Sequence, residues 1–232
     1  MTPPAAAGRA EGHTGRPYTV RVVAQALHLI RHGEVDNPAG VIYGRLPGFG
    51  LSERGAAMAA MTADAIADLL VTRLIASPLL RTQQSAAPIS DRFGLPIEPD
   101  DRVIESSNKL QGRVSRGAAL FREPRDWAYF RNPLQPSWGE PYTEILHRMR
   151  LAVLDAFEST AGGHVVIVSH QLPIWTVHRS VHREPLAHDP RRRRCALSSV
   201  TTFERRNGRL VETAYADPAA PLLAGAVDRG AT

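Results

Sequence analysis

Short, strongly apolar segments alternate along this chain with longer segments in which apolar and polar residues mix. The apolar segments predict buried strands and the mixed segments predict helices that cover a sheet. Strands are predicted at residues 20–30, 71–76, 95–98 and 164–169, and helices at 53–70, 79–93, 142–159 and from Pro173 onward. This β-α-β-α alternation predicts an α/β fold, a three-layer α/β/α sandwich with a mostly parallel central sheet.

Local signals mark where several elements begin and end. Ser52 is suited to cap the N-terminus of the first helix, and Gly94 is suited to end the second. Pro88 lies inside the second predicted helix, which we therefore expect to be kinked or briefly broken. Asn207-Gly208 predicts the tight turn of a late β-hairpin.

The length of 232 residues is enough for a sizeable buried core. We expect a flexible N-terminal tail at residues 1–20, a single domain at 21–215 and a C-terminal tail at 216–232. Residues 106–141 hold many of the prolines together with several aromatic residues, so they predict a small cap inserted into the domain.

The chain shows no sequence signal for membrane insertion or secretion. No apolar run reaches the roughly 18 residues that a spanning helix needs, and residues 1–20 lack the apolar stretch of a signal peptide. Cys195 is the single cysteine, so no intramolecular disulfide can form, and its setting after four arginines favours a structural thiol over a nucleophile. We expect a cytoplasmic protein without a membrane partner, acting as a monomer or homodimer.

The formal net charge of +5 admits two interpretations. Positive charge can serve nucleic-acid binding, or it can serve an anionic small molecule held by arginines. The densest basic run, residues 191–194, follows Asp189-Pro190 and is typical of a surface loop. Since the chain has neither zinc-finger spacing nor a basic stretch interleaved with aromatic residues, we expect a small anionic substrate and no nucleic-acid partner.

Three histidines late in the chain, at positions 178, 182 and 188, could in principle hold a metal ion. No spacing with acidic partners supports such a site, so the sequence predicts neither a metal nor a cofactor.

Polar residues follow three of the predicted strands at their carboxyl ends. Arg31-His32 follows the first strand, Ser77 and Arg81 follow the strand at 71–76, and His170 follows the strand at 164–169. In a parallel sheet these ends lie on one edge, where α/β proteins bind their ligands. Arginine forks match the oxygens of a phosphoryl group, so this convergence predicts a phosphate site.

The same residues stand within longer motifs that are similar to those of a known family. These motifs are Arg31-His32-Gly33, the Ser-Pro-Leu-x-Arg pattern of residues 77–86, Glu105 shortly after a strand, the Val-x-His at residues 168–170, and Gly-Glu at 139–140. In this order they resemble the histidine phosphatase superfamily, which is phosphoglycerate-mutase-like, over roughly residues 27–205.

The resemblance implies a catalytic role for five residues. His32 would attack phosphorus as a neutral imidazole and carry the phosphoryl group, while Glu105 would protonate the leaving group. Arg31, Arg81 and a protonated His170 would hold the phosphoryl oxygens. Arginines would supply the positive charge, so the resemblance implies no metal.

The resemblance also implies contacts to the substrate beyond this centre, from Gly33, Asn37, Arg45, Asn108 and Gln171. The chain departs from the family pattern at two positions: Pro38 stands where Asn is frequent, and Gln171 where Gly is common.

The expected function is hydrolysis of a small phosphorylated metabolite by a phosphomonoesterase. The alternatives are a phosphoglycerate mutase-type phosphoryl transfer and a non-catalytic member of the fold that binds phosphorylated ligands.

Overall fold

The protein is built around a six-stranded sheet, seen in a computed structural model that describes residues 23–114 and 139–228. The predicted N-terminal tail at residues 1–20 and most of the predicted cap at 106–141 lie outside the described residues.

Strands and helices follow one another in the predicted alternation. The strands are β1 (Ala26–Arg31), β2 (Val71–Ala76), β3 (Ile97–Pro99), β4 (His164–Ser169), β5 (Val200–Arg206) and β6 (Arg209–Ala216). The helices are α1 (Glu53–Ala65), α2 (Leu80–Phe93), α3 (Tyr142–Ser159), α4 (Gln171–Val181) and the short α5 (Ala220–Leu223). Two 3₁₀ turns, Asp101–Val103 and Pro190–Arg192, complete the regular structure of the described residues.

The strand order across the sheet is β3-β2-β4-β1-β5-β6. β3, β2, β4 and β1 are parallel neighbours, whereas β5 pairs antiparallel with both β1 and β6. The prediction of a mostly parallel sheet is therefore confirmed. The carboxyl ends of β1, β2 and β4 consequently share one edge of the sheet.

Alternate residues of β4 pack on opposite faces of the sheet, which produces the three layers. Val165 and Ile167 join a buried cluster with residues of α3 and α4, while Val166 and Val168 join a second cluster with residues of α1 and α2. A strand covered on both faces must be apolar throughout, which accounts for the continuous run that predicted it.

Two details of the predicted helices are wrong. The first helix ends at Ala65 and not near residue 70, because the chain must turn within residues 66–70 to enter the sheet at Val71. The second helix continues through Pro88 without a break. Its neighbours Ala86 and Ile89 are wholly buried, and this packing outweighs the hydrogen bond that proline cannot donate.

Three local signals are confirmed. Ser52 caps α1 by accepting a hydrogen bond from the Gly55 amide, and Gly94 ends α2 with a left-handed φ of 64°. Asn207 and Gly208 form the hairpin turn with φ of 52° and 75°, the sign that a type I′ turn requires.

The segment after β6, residues 217–228, folds back onto the domain. Ala219 is buried in a cluster with Met58 and Leu197. Further along, the Val227 amide donates to Oε1 of Glu34 at 2.7 Å. This segment thereby reaches the loop that follows β1. None of the helices in the described ranges is long and apolar enough to cross a membrane.

The first turn of α1 touches the loop after β1 so closely that only glycine fits. A Cβ on Gly55 would lie 2.0 Å from the Glu34 carbonyl oxygen, and one on Gly33 would lie 2.4 Å from the Gly55 carbonyl oxygen. Both clashes involve backbone atoms, which cannot rotate away.

We expect Gly55→Ala to destabilise the protein by about 1–3 kcal/mol through this clash, although alanine is the better helix former. Urea unfolding measures the loss. Ala57→Gly, at an exposed position of the same helix, is the control and should cost at most about 1 kcal/mol. A Gly55→Ala variant as stable as the wild type would contradict the close approach.

Candidate functional site

The register of β1 with β4 brings two histidines together at the shared edge of the sheet. Arg31 pairs with Ser169, so the next residue of each strand, His32 and His170, leave the sheet side by side. Their ring centroids lie 5.2 Å apart, and both side chains are fully buried.

A backbone hydrogen bond fixes the tautomer of His32. Its Nδ1 lies 2.7 Å from the Gly33 carbonyl oxygen, which can only accept, so Nδ1 carries the proton. Burial and the charges of Arg81 and Arg31 hold the pKa of His32 well below its ordinary value. Nε2 therefore keeps a free lone pair, and it has no hydrogen-bond partner among the described residues. This is the state that nucleophilic attack requires.

The Arg31 guanidinium is fully buried and is held by hydrogen bonds to Cys195 and Asp228. Nη1 donates to the Cys195 carbonyl oxygen at 2.7 Å and to Asp228, and Nη2 donates to the other carboxylate oxygen of Asp228. Nε has no hydrogen-bond partner within the described ranges. The buried Cys195 contributes its backbone carbonyl, in keeping with the structural role predicted for it.

Arg81 enters the site from the first turn of α2. Its Nη2 donates to the Gly44 carbonyl oxygen at 2.7 Å, and its guanidinium carbon lies 4.8 Å from the ring centroid of Tyr43. A cation over an aromatic face is attracted by the ring quadrupole, so Tyr43 lowers the cost of burying this charge. The second arginine is thus held near both histidines, since its charge lowers the pKa of each.

Glu105 follows the 3₁₀ turn after β3, and hydrogen bonds hold the backbone around it. Ser169 Oγ donates to the Val103 carbonyl oxygen, Arg148 donates to the Ile104 carbonyl oxygen, and Arg45 Nε donates to that of Glu105 itself. One carboxylate oxygen, Oε1, accepts from the Ser106 amide at 2.8 Å. The other, Oε2, lies 3.8 Å from Nδ1 of His170.

Burial raises the pKa of Glu105 above its ordinary value, although Arg81 and Arg31 work in the opposite direction. A carboxyl group that keeps its proton can act as a general acid. Burial and the charge of Arg81 hold the pKa of His170 well below its ordinary value. His170 is therefore neutral in the ligand-free site, which does not support the expectation of a protonated His170 there.

Five buried polar atoms converge on the site without hydrogen-bond partners in the described part of the chain. They are Nε of Arg31, Nε2 of His32, Nε of Arg81, Oε2 of Glu105 and Nδ1 of His170. Buried polar groups are nearly always paired, so a cluster of unpaired ones points to a missing ligand. Two fixed positive charges select an anion for that place.

Two of the predicted substrate-binding residues, Arg45 and Gln171, lie beside the site. Arg45 is at the site, since it contacts the Glu105 carbonyl and pairs with Glu140. Gln171 opens α4 beside His170. Its side-chain amide donates to the Cys195 carbonyl oxygen and accepts a hydrogen bond from Arg193.

Three of these residues have structural partners. The Gly33 amide donates to Ser85 Oγ, and the Asn37 amide group both donates to and accepts from the backbone of Val41. Asn108 is buried and caps a turn by accepting from the Leu110 amide. The oxygen and the nitrogen of the Asn37 side chain are thus both hydrogen-bonded within its own loop.

Sequence reasoning missed Tyr43, Arg193 and Asp228. Arg193, within the run expected to form a surface loop, is close enough to Glu105 and Arg31 for their charges to affect its pKa, which burial chiefly lowers. No local pattern marks any of the three, because each reaches the site through a contact between distant parts of the chain.

Comparison with known proteins identifies the family. A model of the histidine phosphatase superfamily (branch 1) matches residues 27–218. The chain therefore belongs to the histidine phosphatase superfamily, as the motifs predicted. Uncharacterized protein Rv0525 of Mycobacterium tuberculosis is 53% identical over 195 residues, which cover 84% of this chain and 96% of that protein.

A further relative and two solved structures agree with this assignment. A Yersinia pestis protein named "Probable phosphoglycerate mutase GpmB" is 32% identical, over 75% of this chain and 83% of that protein. Bacillus stearothermophilus YhfR has a TM-score of 0.71 at 23% identity, covering 81% of this chain and 95% of its own. Mycobacterial glucosyl-3-phosphoglycerate phosphatase Rv2419c has a TM-score of 0.67 at 21% identity, covering 82% and 97%. At these identities the two structures establish the fold.

We expect Asp228→Asn to lower the melting temperature and to strengthen phosphate binding about tenfold. The buried Arg31 loses its counter-charge, so the ligand-free protein is destabilised while the site becomes more attractive to an anion. Thermal unfolding with and without inorganic phosphate measures both effects. Asp217→Asn, in the same segment and paired with Tyr215, is the matched control. If phosphate raised the melting temperature of the variant no more than that of the wild type, Asp228 would not be competing with the anion for Arg31.

Proposed function

We propose that the protein is a phosphomonoesterase that hydrolyses a small phosphorylated metabolite through a phosphohistidine on Nε2 of His32. One observation carries this proposal: the free lone pair of a neutral His32 lies among two buried arginines and a carboxyl group of raised pKa. A nucleophile, an anion clamp and an acid are the groups that phosphoryl transfer needs.

In the first step, Nε2 of His32 attacks phosphorus while the bond from phosphorus to the ester oxygen breaks. Glu105 gives its proton to the departing oxygen, so the leaving group departs as an alcohol and Glu105 becomes a carboxylate. The Gly33 carbonyl, which accepts from Nδ1, stabilises the positive charge that develops on the imidazole ring.

In the second step, water attacks the phosphohistidine. The Glu105 carboxylate takes a proton from the water as its oxygen bonds to phosphorus, and the bond from phosphorus to Nε2 breaks. Inorganic phosphate leaves, and both His32 and Glu105 return to their starting protonation states. The cycle therefore balances without an additional reactant.

Arg31 and Arg81 stabilise the phosphoryl oxygens throughout both steps, because their charges are fixed and excluded from water. His170 directly precedes α4, whose first backbone amides and positive dipole end add to the attraction for an anion. Once a phosphoryl group binds, its negative charge favours protonation of His170, which is the state expected from the resemblance.

Mutase-type transfer is a second candidate, supported by the name of the Yersinia pestis relative. It uses the same phosphohistidine but returns the phosphoryl group to the substrate instead of to water. The name of Rv2419c, a glucosyl-3-phosphoglycerate phosphatase, supports hydrolysis. Incubation with 3-phosphoglycerate separates the two candidates, because hydrolysis releases inorganic phosphate and mutase activity yields 2-phosphoglycerate.

Assayed with a panel of phosphate esters, His32→Ala should lose at least about 10³-fold in kcat/KM, because the phosphoryl acceptor is gone. The wild type, quenched during turnover, should carry an acid-labile phosphoryl group that the variant lacks. His147→Ala, at an exposed position of α3, is the control and should keep full activity. Hydrolysis at a near-wild-type rate by His32→Ala would rule out the mechanism. A wild type inactive on every ester would favour the non-catalytic alternative.

Activity on esters with poor leaving groups should fall as pH rises through the raised pKa of Glu105, because only the protonated carboxyl can donate. His32, with its lowered pKa, stays neutral under mildly acidic conditions, so activity should persist there.

Glu105→Gln should lower kcat/KM about 10²–10⁴-fold on alkyl phosphates and much less on an activated aryl phosphate. The pH profiles and rates on both ester types measure this, and equal losses on the two would contradict the acid role.

A further inference from the structure

A second cluster of ionisable groups lies where the C-terminal half of α4 meets strand β6. His178 lies in the last turn of α4, and His182, one helical turn further on, is the residue that caps the end of the helix, so the two share a face. Nδ1 of His178 lies 2.5 Å from Oε2 of Glu212, and Nε2 of His182 lies 3.3 Å from the same oxygen. These three side chains, which we call the His-His-Glu cluster, are not used by the proposed reaction.

The side chain of Glu212 is buried beside an irregularity in the pairing of β5 with β6. It pairs in the sheet with Phe203, a core residue, next to an irregularity of register that locally re-aims side chains. Its side chain is only 6% exposed. Oε2 of this carboxylate faces two imidazoles.

The donor atoms of the cluster are close enough for one ion to reach all of them. One nitrogen of each histidine and one oxygen of Glu212 lie within 4.8 Å of one another. Two imidazoles and one carboxylate are a ligand set typical of zinc sites with an open fourth position, whereas Ca²⁺ and Mg²⁺ prefer oxygen ligands. We propose that His178, His182 and Glu212 bind a divalent transition-metal ion of the zinc type, with water as the fourth ligand.

The surroundings of the cluster suit this assignment. Trp175 stacks on the His178 ring with centroids 4.1 Å apart, which fixes the plane of that imidazole. Arg194 donates to Oε1 of Glu212, and this leaves Oε2 as a single-oxygen ligand. Partners of this kind orient the ligands of metal sites. The His182 side chain is 44% exposed, so the open side of the cluster faces solvent and allows a metal ion and its water to enter.

The metal would join α4 to β6, at a distance from the catalytic centre. His182 follows the end of α4, eleven residues after the Gln171 that opens the helix, a rise of roughly 16 Å. We therefore expect metal binding to stabilise the fold without taking part in phosphoryl transfer. Metal binding at this cluster does not depend on the proposed phosphatase function.

Titration of chelator-treated protein that carries no polyhistidine tag tests the site. Co²⁺ should give the visible absorption of a four-coordinate N/O complex at about one equivalent, Zn²⁺ should displace it, and Zn²⁺ should raise the melting temperature. Calorimetry with Zn²⁺ gives the affinity.

Variants separate this site from other histidines. His182→Ala and Glu212→Gln should each weaken Zn²⁺ binding about tenfold or more and abolish the thermal shift. His188→Ala, a nearby histidine outside the cluster, and His32→Ala, in the catalytic centre, should bind Zn²⁺ as the wild type does. His182 is largely exposed, so its variant should fold and keep its phosphatase activity. Equal Zn²⁺ affinity in the wild type and His182→Ala, or loss of binding in His32→Ala, would overturn the proposal.

Discussion

The burial of two guanidinium groups is the constraint on which the candidate site depends. Arg31 and Arg81 have no solvent exposure, and an unpaired charge in such a position costs several kcal/mol. Within the described residues, the protein offsets this cost with neutral dipoles, an aromatic ring and the carboxylate of Asp228, which pairs directly with Arg31. One ion-paired carboxylate for two guanidinium groups leaves a positive potential at the edge of the sheet, so an anion is the ligand that completes it.

The same charges determine the protonation of the neighbouring groups. They oppose a third positive charge, so His32 remains neutral with a lone pair available. They also oppose the effect of burial on Glu105, whose pKa nevertheless stays raised. A neutral His32 imidazole and a Glu105 carboxyl group of raised pKa therefore lie in one cluster. Burial drives both shifts, while the arginine charges add to the shift of His32 and oppose that of Glu105.

The sheet and the polar residues at its edge could be predicted because each signal is local. Strand ends are marked by an apolar run, and the residue that follows lies at the shared edge of the sheet, as His32 and His170 do. Asp228 and the His-His-Glu cluster could not be predicted, since they join segments whose contact only the fold decides.

The folded-back segment at residues 217–228 has a consequence for synthesis of the protein. Arg31 belongs to β1, whereas its carboxylate partner Asp228 lies 197 residues further along the chain. Until those residues are synthesised, Arg31 lacks its only acidic partner known from the described residues. An anion bound beside Arg31 would supply the missing negative charge during this interval, because a ligand that binds only the folded state stabilises it.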